Sequence, residues 1–239
     1  MVRIGISGVC GRMGQRIFSL AQKDEDFHVV FGLEKRSHPD IGKSREGVVI
    51  TDDLAIIEEC DCLIEFTNPQ ATVEHLSYLI KFQKPAVIGT TGLTLKEQER
   101  VKEASKEIPI VFSPNMSVGV NLLFELVRKT AQVLKDYQVN IEEAHHIHKK
   151  DAPSGTAKKL AQIINEEGFD IKIEDIKAIR EDQIIGDHKI VFESSLDKIE
   201  LFHSAKTRDI FAKGALLAGK WVVDKSPGLY SMREVLGIK

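Results

Sequence analysis

The stretch EEAHHIHKKDAPSGTAKKLA, Glu142 to Ala161, sets His145, His146, His148, Lys149 and Lys150 within six consecutive positions. An imidazole exchanges its proton near neutral pH and an ammonium keeps its own, so the run suits proton donation beside a balancing positive charge. Imidazole is also a metal ligand. Lys149 and Lys150 would repel a cation, however, and the spacing is not that of a helical HExxH, so no metal is expected. Anions explain the composition better. DAPSGTA reads as a turn into a helix with Pro153 and Ser154 near its start, after which Gly155 and Thr156 present backbone N–H groups and a hydroxyl to a carboxylate. A histidine acting as general acid contributes about 10²–10⁴ in rate, and a nearby lysine balances charge as the proton moves. The cluster therefore reads as a site for reducing a small carboxylated compound.

A second group of residues opens the chain. GISGVCGRMG places Gly8, Gly11 and Gly14 directly after an apolar run and ahead of a helical one. Such glycines allow a tight turn, approach of a diphosphate to the backbone and close helix packing. The spacing is G-x-x-G-x-x-G, with Cys10 in the middle site, and by itself it also fits an ordinary strand-to-helix turn. Support comes from Glu34, about twenty residues on, where a carboxylate accepts hydrogen bonds from the adenosine ribose. Lys35 follows and could neutralise a 2′-phosphate, whereas Arg36 reads as a solvated charge. NADH and NADPH both remain open. The GKS at Gly42–Ser44 lacks the earlier glycine of a phosphate-binding loop and reads as a surface loop. Two further strand-end loops, GTTG (Gly89, Thr90, Thr91, Gly92) and SPNMS (Ser113, Pro114, Asn115, Met116, Ser117), are expected to face the same crevice, though turn chemistry alone explains their composition.

The elements that must position these groups follow from periodicity. VRIGIS, HVVFGL, CLIEFT, PAVIGTT and PIVFS read as strands buried on both faces, alternating with helical stretches such as GQRIFSLAQKD, QATVEHLSYLIKF and LKEQERVKEASKE. That alternation predicts a parallel sheet covered by helices. After Ser117 the pattern changes to a long helix over about 118–134, the strand YQVNIEEAHH, a helix from GTAKK, and then successive strands, which predicts a second domain with a mixed sheet. A last helix, RDIFAKGALLAGKWVV, and a short tail follow. The fold class is thus α/β, with expected divisions at 1–117, 118–207 and 208–239.

Bulk properties exclude several functions. The formal charge of −3 over 239 residues argues against a nucleic-acid surface. Cys10, Cys60 and Cys62 have no disulfide or zinc spacing, and free thiols suit a reducing interior. No apolar run approaches the roughly twenty residues of a membrane span, and no targeting segment is visible. The expectation is a soluble cytoplasmic protein without membrane or nucleic-acid partners.

The motifs GVCGRMG, IEFTNP, VIGTTG, SPNMSVGVN, EAHHIHKKDAPSGTA and RDIFAKGALLAGKW…GLYSM together resemble the 4-hydroxy-tetrahydrodipicolinate (dihydrodipicolinate) reductase family of lysine and diaminopimelate biosynthesis, in order and over nearly the whole chain. The HHxHKxDAPSGTA segment carries most of that likeness. The resemblance implies hydride transfer from NADH or NADPH to a cyclic dicarboxylate, with loss of water. It implies His145 as proton donor, Lys149 as second catalytic residue, and His146, Gly155 and Thr156 as substrate contacts. It implies Gly8, Val9, Cys10, Gly11, Arg12, Met13, Glu34, Lys35, Gly89, Thr90, Thr91, Ser113, Pro114, Asn115 and Met116 as cofactor contacts. It further implies a Rossmann-type domain to which the chain's end returns, a mixed-sheet domain, and a homotetramer built through those sheets. Lys35 stands where the family commonly has arginine, which leaves the choice of cofactor open. The rival readings are another NAD(P)-dependent dehydrogenase of a small carboxylated imine or amino acid, which has no need of DAPSGT, and a dinucleotide-sensing regulator, which would need a basic DNA-binding module.

Overall fold

The computed structural model of the protein describes residues 1–238. The chain forms two compact units, one of residues 1–117 with the segment from Phe211 onward, the other Val118–Ile210.

The first unit is built on β1 (Val2–Ser7), α1 (Arg12–Ala21), β2 (Phe27–Leu33), β3 (Ser44–Arg45), β4 (Val48–Thr51), β5 (Cys62–Glu65), α2 (Pro69–Lys81), β6 (Ala86–Ile88), α3 (Leu95–Ala104) and β7 (Pro109–Phe112). With β12 (Gly228–Tyr230) at one edge, its sheet runs β12-β7-β6-β5-β1-β2-β4-β3, and every pairing except β3–β4 is parallel. Parallel strands need helical crossovers, and these cover both faces, which is why the strands read as unbroken apolar runs. On one face Ile4 and Ile6 pack with Ile17 and Phe18 of α1. On the other, Phe31 and Leu63 pack with Leu76 of α2 and Val101 of α3. Gly5 points to this second face, where a Cβ would lie 2.2 Å from the Phe31 ring. β2 and β5 flank β1 on opposite sides, so the strand order reverses there. That reversal opens a crevice beyond the strands' carboxyl ends.

The second unit contains α4 (Val118–Val133), β8 (Gln138–His145), α5 (Gly155–Glu166), β9 (Lys177–Arg180), β10 (Asp187–Glu193) and β11 (Lys198–Ser204). Its sheet order is β11-β10-β8-β9, with β8–β9 parallel and the other pairs antiparallel. One face carries Ile141, Ile190 and Phe192 against α4 and α5. The chain closes with α6 (Asp209–Val222), β12 (Gly228–Tyr230), which adds to β7, and α7 (Met232–Val235).

Three features depart from the reading of the sequence. Gly42 and Lys43 lie in an exposed turn, as read, but Ser44–Arg45 and Val48–Thr51 then form the short strand pair β3–β4, which was not read. A 3₁₀ helix, Leu54–Glu59, precedes β5. The tail supplies a strand, β12. β3–β4 is a local pair with Arg45 opposite Val48, the 3₁₀ helix is a single short element, and only β12 depends on a distant partner, β7; all three are too short for periodicity to signal.

Candidate active site

The crevice at the strand reversal is a cleft of about 540 Å³ lined by Gly8, Gly11, Glu34, Lys35, Arg36, Thr67, Asn68 and His75, among others. Gly8 has φ +74°, and a Cβ on it would lie 2.5 Å from the Phe66 carbonyl oxygen; a Cβ on Gly14 would lie 2.0 Å from the Gly8 carbonyl oxygen. These are the turn and helix-packing positions of a diphosphate cradle. Gly11 caps α1 with no side chain across its first amides. The Glu34 carboxylate accepts the Cys10 amide at 3.2 Å and the Lys35 amide at 3.0 Å. The acid is thereby fixed to the glycine turn, and the residues present fit a dinucleotide. Arg36, read as a solvated charge, is exposed, lines the cleft and lies 3.9 Å from Asp52.

The other candidate cofactor residues do not contribute to this wall. Val9 is buried in the core, and a Cβ on Gly32 would lie 2.6 Å from its side chain. Met13 is half-buried against the same core and Arg12 is exposed at the start of α1. Thr90 is buried, its hydroxyl accepting the Thr67 amide at 3.1 Å and bonding the Thr72 hydroxyl at 2.9 Å. Gly89 faces Phe66, whose ring a Cβ would approach to 2.2 Å, while Thr91 and Pro114 are exposed. The Ser113 hydroxyl donates to the Asn115 carbonyl at 2.8 Å, and Met116 is buried.

The sequence reading missed a buried pair in the same cleft. The Glu65 carboxylate lies 2.6 Å from His75 Nδ1 and accepts the Thr67 hydroxyl, and Ser7 Oγ is 3.4 Å from His75 Nδ1. Burial opposes the imidazolium of His75, but its bond to Glu65 wins and raises its pKa above the ordinary histidine value. The alternation of CLIE places no signal on Glu65, because all four residues of β5 are buried.

Among the described residues one cluster has metal-ligand chemistry, Cys10, His38 and Asp40, with ligand atoms within 4.8 Å of one another. Lys43 already binds Asp40 at 2.9 Å, and burial raises the Cys10 pKa, which keeps the thiol protonated. The cluster is a poor cation site.

In the second unit, β8 sends Ile141, Glu143 and His145 inward in strict alternation. Glu143 is buried; it takes His145 Nδ1, both Nη groups of Arg180 at 2.8 and 3.1 Å, and the Ser154 amide at 3.1 Å. Parallel pairing sets His145 beside Arg180 of β9, and antiparallel pairing sets Glu143 opposite His188 of β10. His188 Nε2 is 3.1 Å from the Ser154 hydroxyl, and its ring stands edge-on to His145, centroids 5.3 Å apart. Ser154 caps α5 by accepting the Ala157 amide at 3.2 Å. The first helical residues are Gly155, exposed and with open space where a Cβ would be, and the half-buried Thr156. Lys149 Nζ bonds both Asp151 oxygens at 2.8 and 2.9 Å. His146 lies just beyond β8, its ring 6.3 Å from that of His148, and Lys150 is exposed.

Burial pulls the His145 pKa below its ordinary value, Glu143 pushes it back, and Lys149 and Arg180 lower it further; the net shift is downward. Burial and the neighbouring His145 push His188 down to about 3, so it is neutral. Burial of Glu143 is outweighed by Arg180 and His145, which hold it ionised below the usual carboxylate range.

The comparisons with known proteins agree over the whole chain. The family descriptions "Dihydrodipicolinate reductase, N-terminus" and "Dihydrodipicolinate reductase, C-terminus" match residues 2–116 and 119–236. The chain belongs to the dihydrodipicolinate reductase family. Its relatives include the 4-hydroxy-tetrahydrodipicolinate reductases of Aquifex aeolicus, 44% identical over 99% of each chain, and of Syntrophus aciditrophicus, 38% identical over 100% of each. The fold matches a dipicolinate-bound dihydrodipicolinate reductase from Paenisporosarcina sp. TG-14, with TM-score 0.83, 24% identity and full coverage of both chains. An aspartate dehydrogenase from Thermotoga maritima shares the fold more distantly, with TM-score 0.51 and 17% identity, covering 91% of this chain and 95% of that one. As a member of the dihydrodipicolinate reductase family, the protein is a pyridine-nucleotide-dependent oxidoreductase of lysine biosynthesis. No helix among the described residues is long and apolar enough to cross a membrane.

Proposed function

We propose that the protein reduces 4-hydroxy-tetrahydrodipicolinate to tetrahydrodipicolinate, with the first unit holding NADH or NADPH and the second supplying the acid chemistry. A nicotinamide held in the first unit would supply hydride to the substrate ring. His145 gives the proton, and Lys149 offsets negative charge as it develops. The start of α5, with Gly155 and Thr156, holds one substrate carboxylate through its first turn and the helix dipole, and His146 adds a contact. Glu34 receives the adenosine ribose, while Lys35 faces a 2′-phosphate where one is present. One observation carries this reading: a histidine fixed by a buried carboxylate lies in the same unit as a capped helix start and a lysine, in a chain whose family match spans 2–116 and 119–236.

The test is oxidation of NADH or NADPH by the purified protein, supplied with the condensation product of aspartate semialdehyde and pyruvate. His145→Ala and Lys149→Ala each lose about 10²-fold or more in kcat; unchanged turnover in both removes the catalytic assignment. Lys35→Ala weakens NADPH more than NADH; no loss of NADPH affinity, or an equal loss for both cofactors, discards the phosphate role. An arm with amino acids and the oxidised cofactor checks the dehydrogenase alternative. A homotetramer is what the family resemblance implies, and Phe202, 60% exposed on β11, leaves an aromatic ring open to a partner; light scattering on the eluted protein reads the mass. Three free cysteines suit the reducing cytoplasm.

A further inference from the structure

We propose that Glu143 is the positioning residue of the proton-transfer site: clamped by Arg180, it holds His145 through Nδ1 and the start of α5 through the Ser154 amide. The inference rests on His145 being the proton donor, as argued above.

A buried carboxylate is costly unless paired and hydrogen-bonded. Arg180 alone would balance the charge of Glu143. Instead its two oxygens serve three elements: His145 on its own strand, Arg180 on β9, and the Ser154 amide where the chain enters α5. Arg180 Nη2 also donates to the Asp151 carbonyl at 2.6 Å, and the Asp151 carboxylate holds Lys149. The proton donor, the charge-balancing lysine and the carboxylate-gripping helix start are therefore all referenced to a single side chain.

The bond to Nδ1 has a chemical consequence. An ionised carboxylate accepts the Nδ1 proton, so Nε2 is the nitrogen that gains and releases the transferred one. Space is kept for Nε2: a Cβ at Gly186 would lie 3.0 Å from it. The charged and titratable groups around the ring are Glu143 from β8, Arg180 from β9, His188 from β10, and Lys149 and Asp151 from the loop. Of these, Glu143 favours the imidazolium while Lys149 and Arg180 disfavour it.

The experiment compares Glu143→Gln, Glu143→Asp, Arg180→Gln and His145→Gln in the full chain, following kcat, both KM values and the pH profile of kcat/KM. Glu143→Gln is expected to lower kcat by about 10–100-fold while leaving dinucleotide affinity unchanged. It moves the limb belonging to His145 to lower pH, whereas Arg180→Gln moves that limb to higher pH. Glu143→Asp recovers part of kcat. A packing defect would not displace the limb in opposite directions. An unmoved limb in both Glu143→Gln and Arg180→Gln overturns the proposal, as does wild-type kcat in Glu143→Gln. If Glu143→Gln fails to fold, by circular dichroism and dinucleotide binding, the limbs of Glu143→Asp and Arg180→Gln decide. Turnover persisting in His145→Gln would instead overturn the proton-donor assignment. An inactive His145→Gln beside a normal Glu143→Gln removes only the positioning role.

Discussion

At the scale of single residues, the chemistry depends on where polar groups interrupt an apolar alternation. Ile141, Glu143 and His145 share one face of β8, so the last two inward positions of a core strand are ionisable. That pattern could be read from EEAHH by period two, since side chains two apart share a face. Arg180 could not, because it reaches Glu143 across 37 positions through strand pairing. Gly186 is a residue of the same kind, defined by what it leaves empty. Gly186→Ala places a methyl 3.0 Å from His145 Nε2, and we expect a several-fold loss of kcat with little change in melting temperature. Since the histidine pKa is lowered by burial, kcat/KM should fall as pH rises through a limb below the ordinary value of about 6.5. A limb well above that value would mean that burial does not govern the ring.

Among the elements, the starts of α1 and α5 are where the two candidate sites can be probed. Ser154 caps α5 and also bonds His188 Nε2 at 3.1 Å. Ser154→Ala removes a cap worth about 1 kcal/mol and leaves a buried imidazole nitrogen without its partner, at about 1–3 kcal/mol more. Thermal unfolding should show this loss, and KM for the substrate should rise as the helix start frays. At the other site, Gly14→Ala brings a Cβ within 2.0 Å of the Gly8 carbonyl. α1 must then shift from β1, with loss of dinucleotide affinity measurable by quenching or calorimetry. The long, strongly periodic helices and the buried central strands were legible in sequence. β12 was not, because Gly228–Tyr230 has no apolar run and is set by its pairing with β7, and β4 was not although its run VVIT resembles those that were.

For the whole molecule, the buried histidines set how stability responds to acid. His145, His188 and His203 all have lowered pKa values, each chiefly through burial. The unfolded chain then binds protons that the folded second unit refuses, starting below about pH 6.5. Their stabilising contribution is complete above that pH and is lost as pH falls, for His188 down to about 3. Glu143, lowered by Arg180 and His145 against its burial, adds a loss at still lower pH. His75 in the first unit has the opposite sign: its raised pKa makes the pair with Glu65 fully stabilising below about 6.5, a contribution lost as pH rises through the folded value. Hydrogen exchange at pH 7 and pH 5 should therefore show protection falling in 118–210 and holding or rising around α2. Equal loss in both units would refute that division.

By itself the sequence determined the alternation of strands and helices, the glycine turn with its acidic partner, and the histidine–lysine–DAPSGT run, because local backbone chemistry and periodicity act over a few residues. Only the tertiary structure decided that Glu143 binds Arg180 and Ser154, that His75 joins Glu65, and that β12 extends the first sheet. Those side-chain partners lie 10 to 37 positions apart, and β12 and β7 much further; burial, which shapes both their pKa values and their cost when unpaired, exists only once the chain has folded.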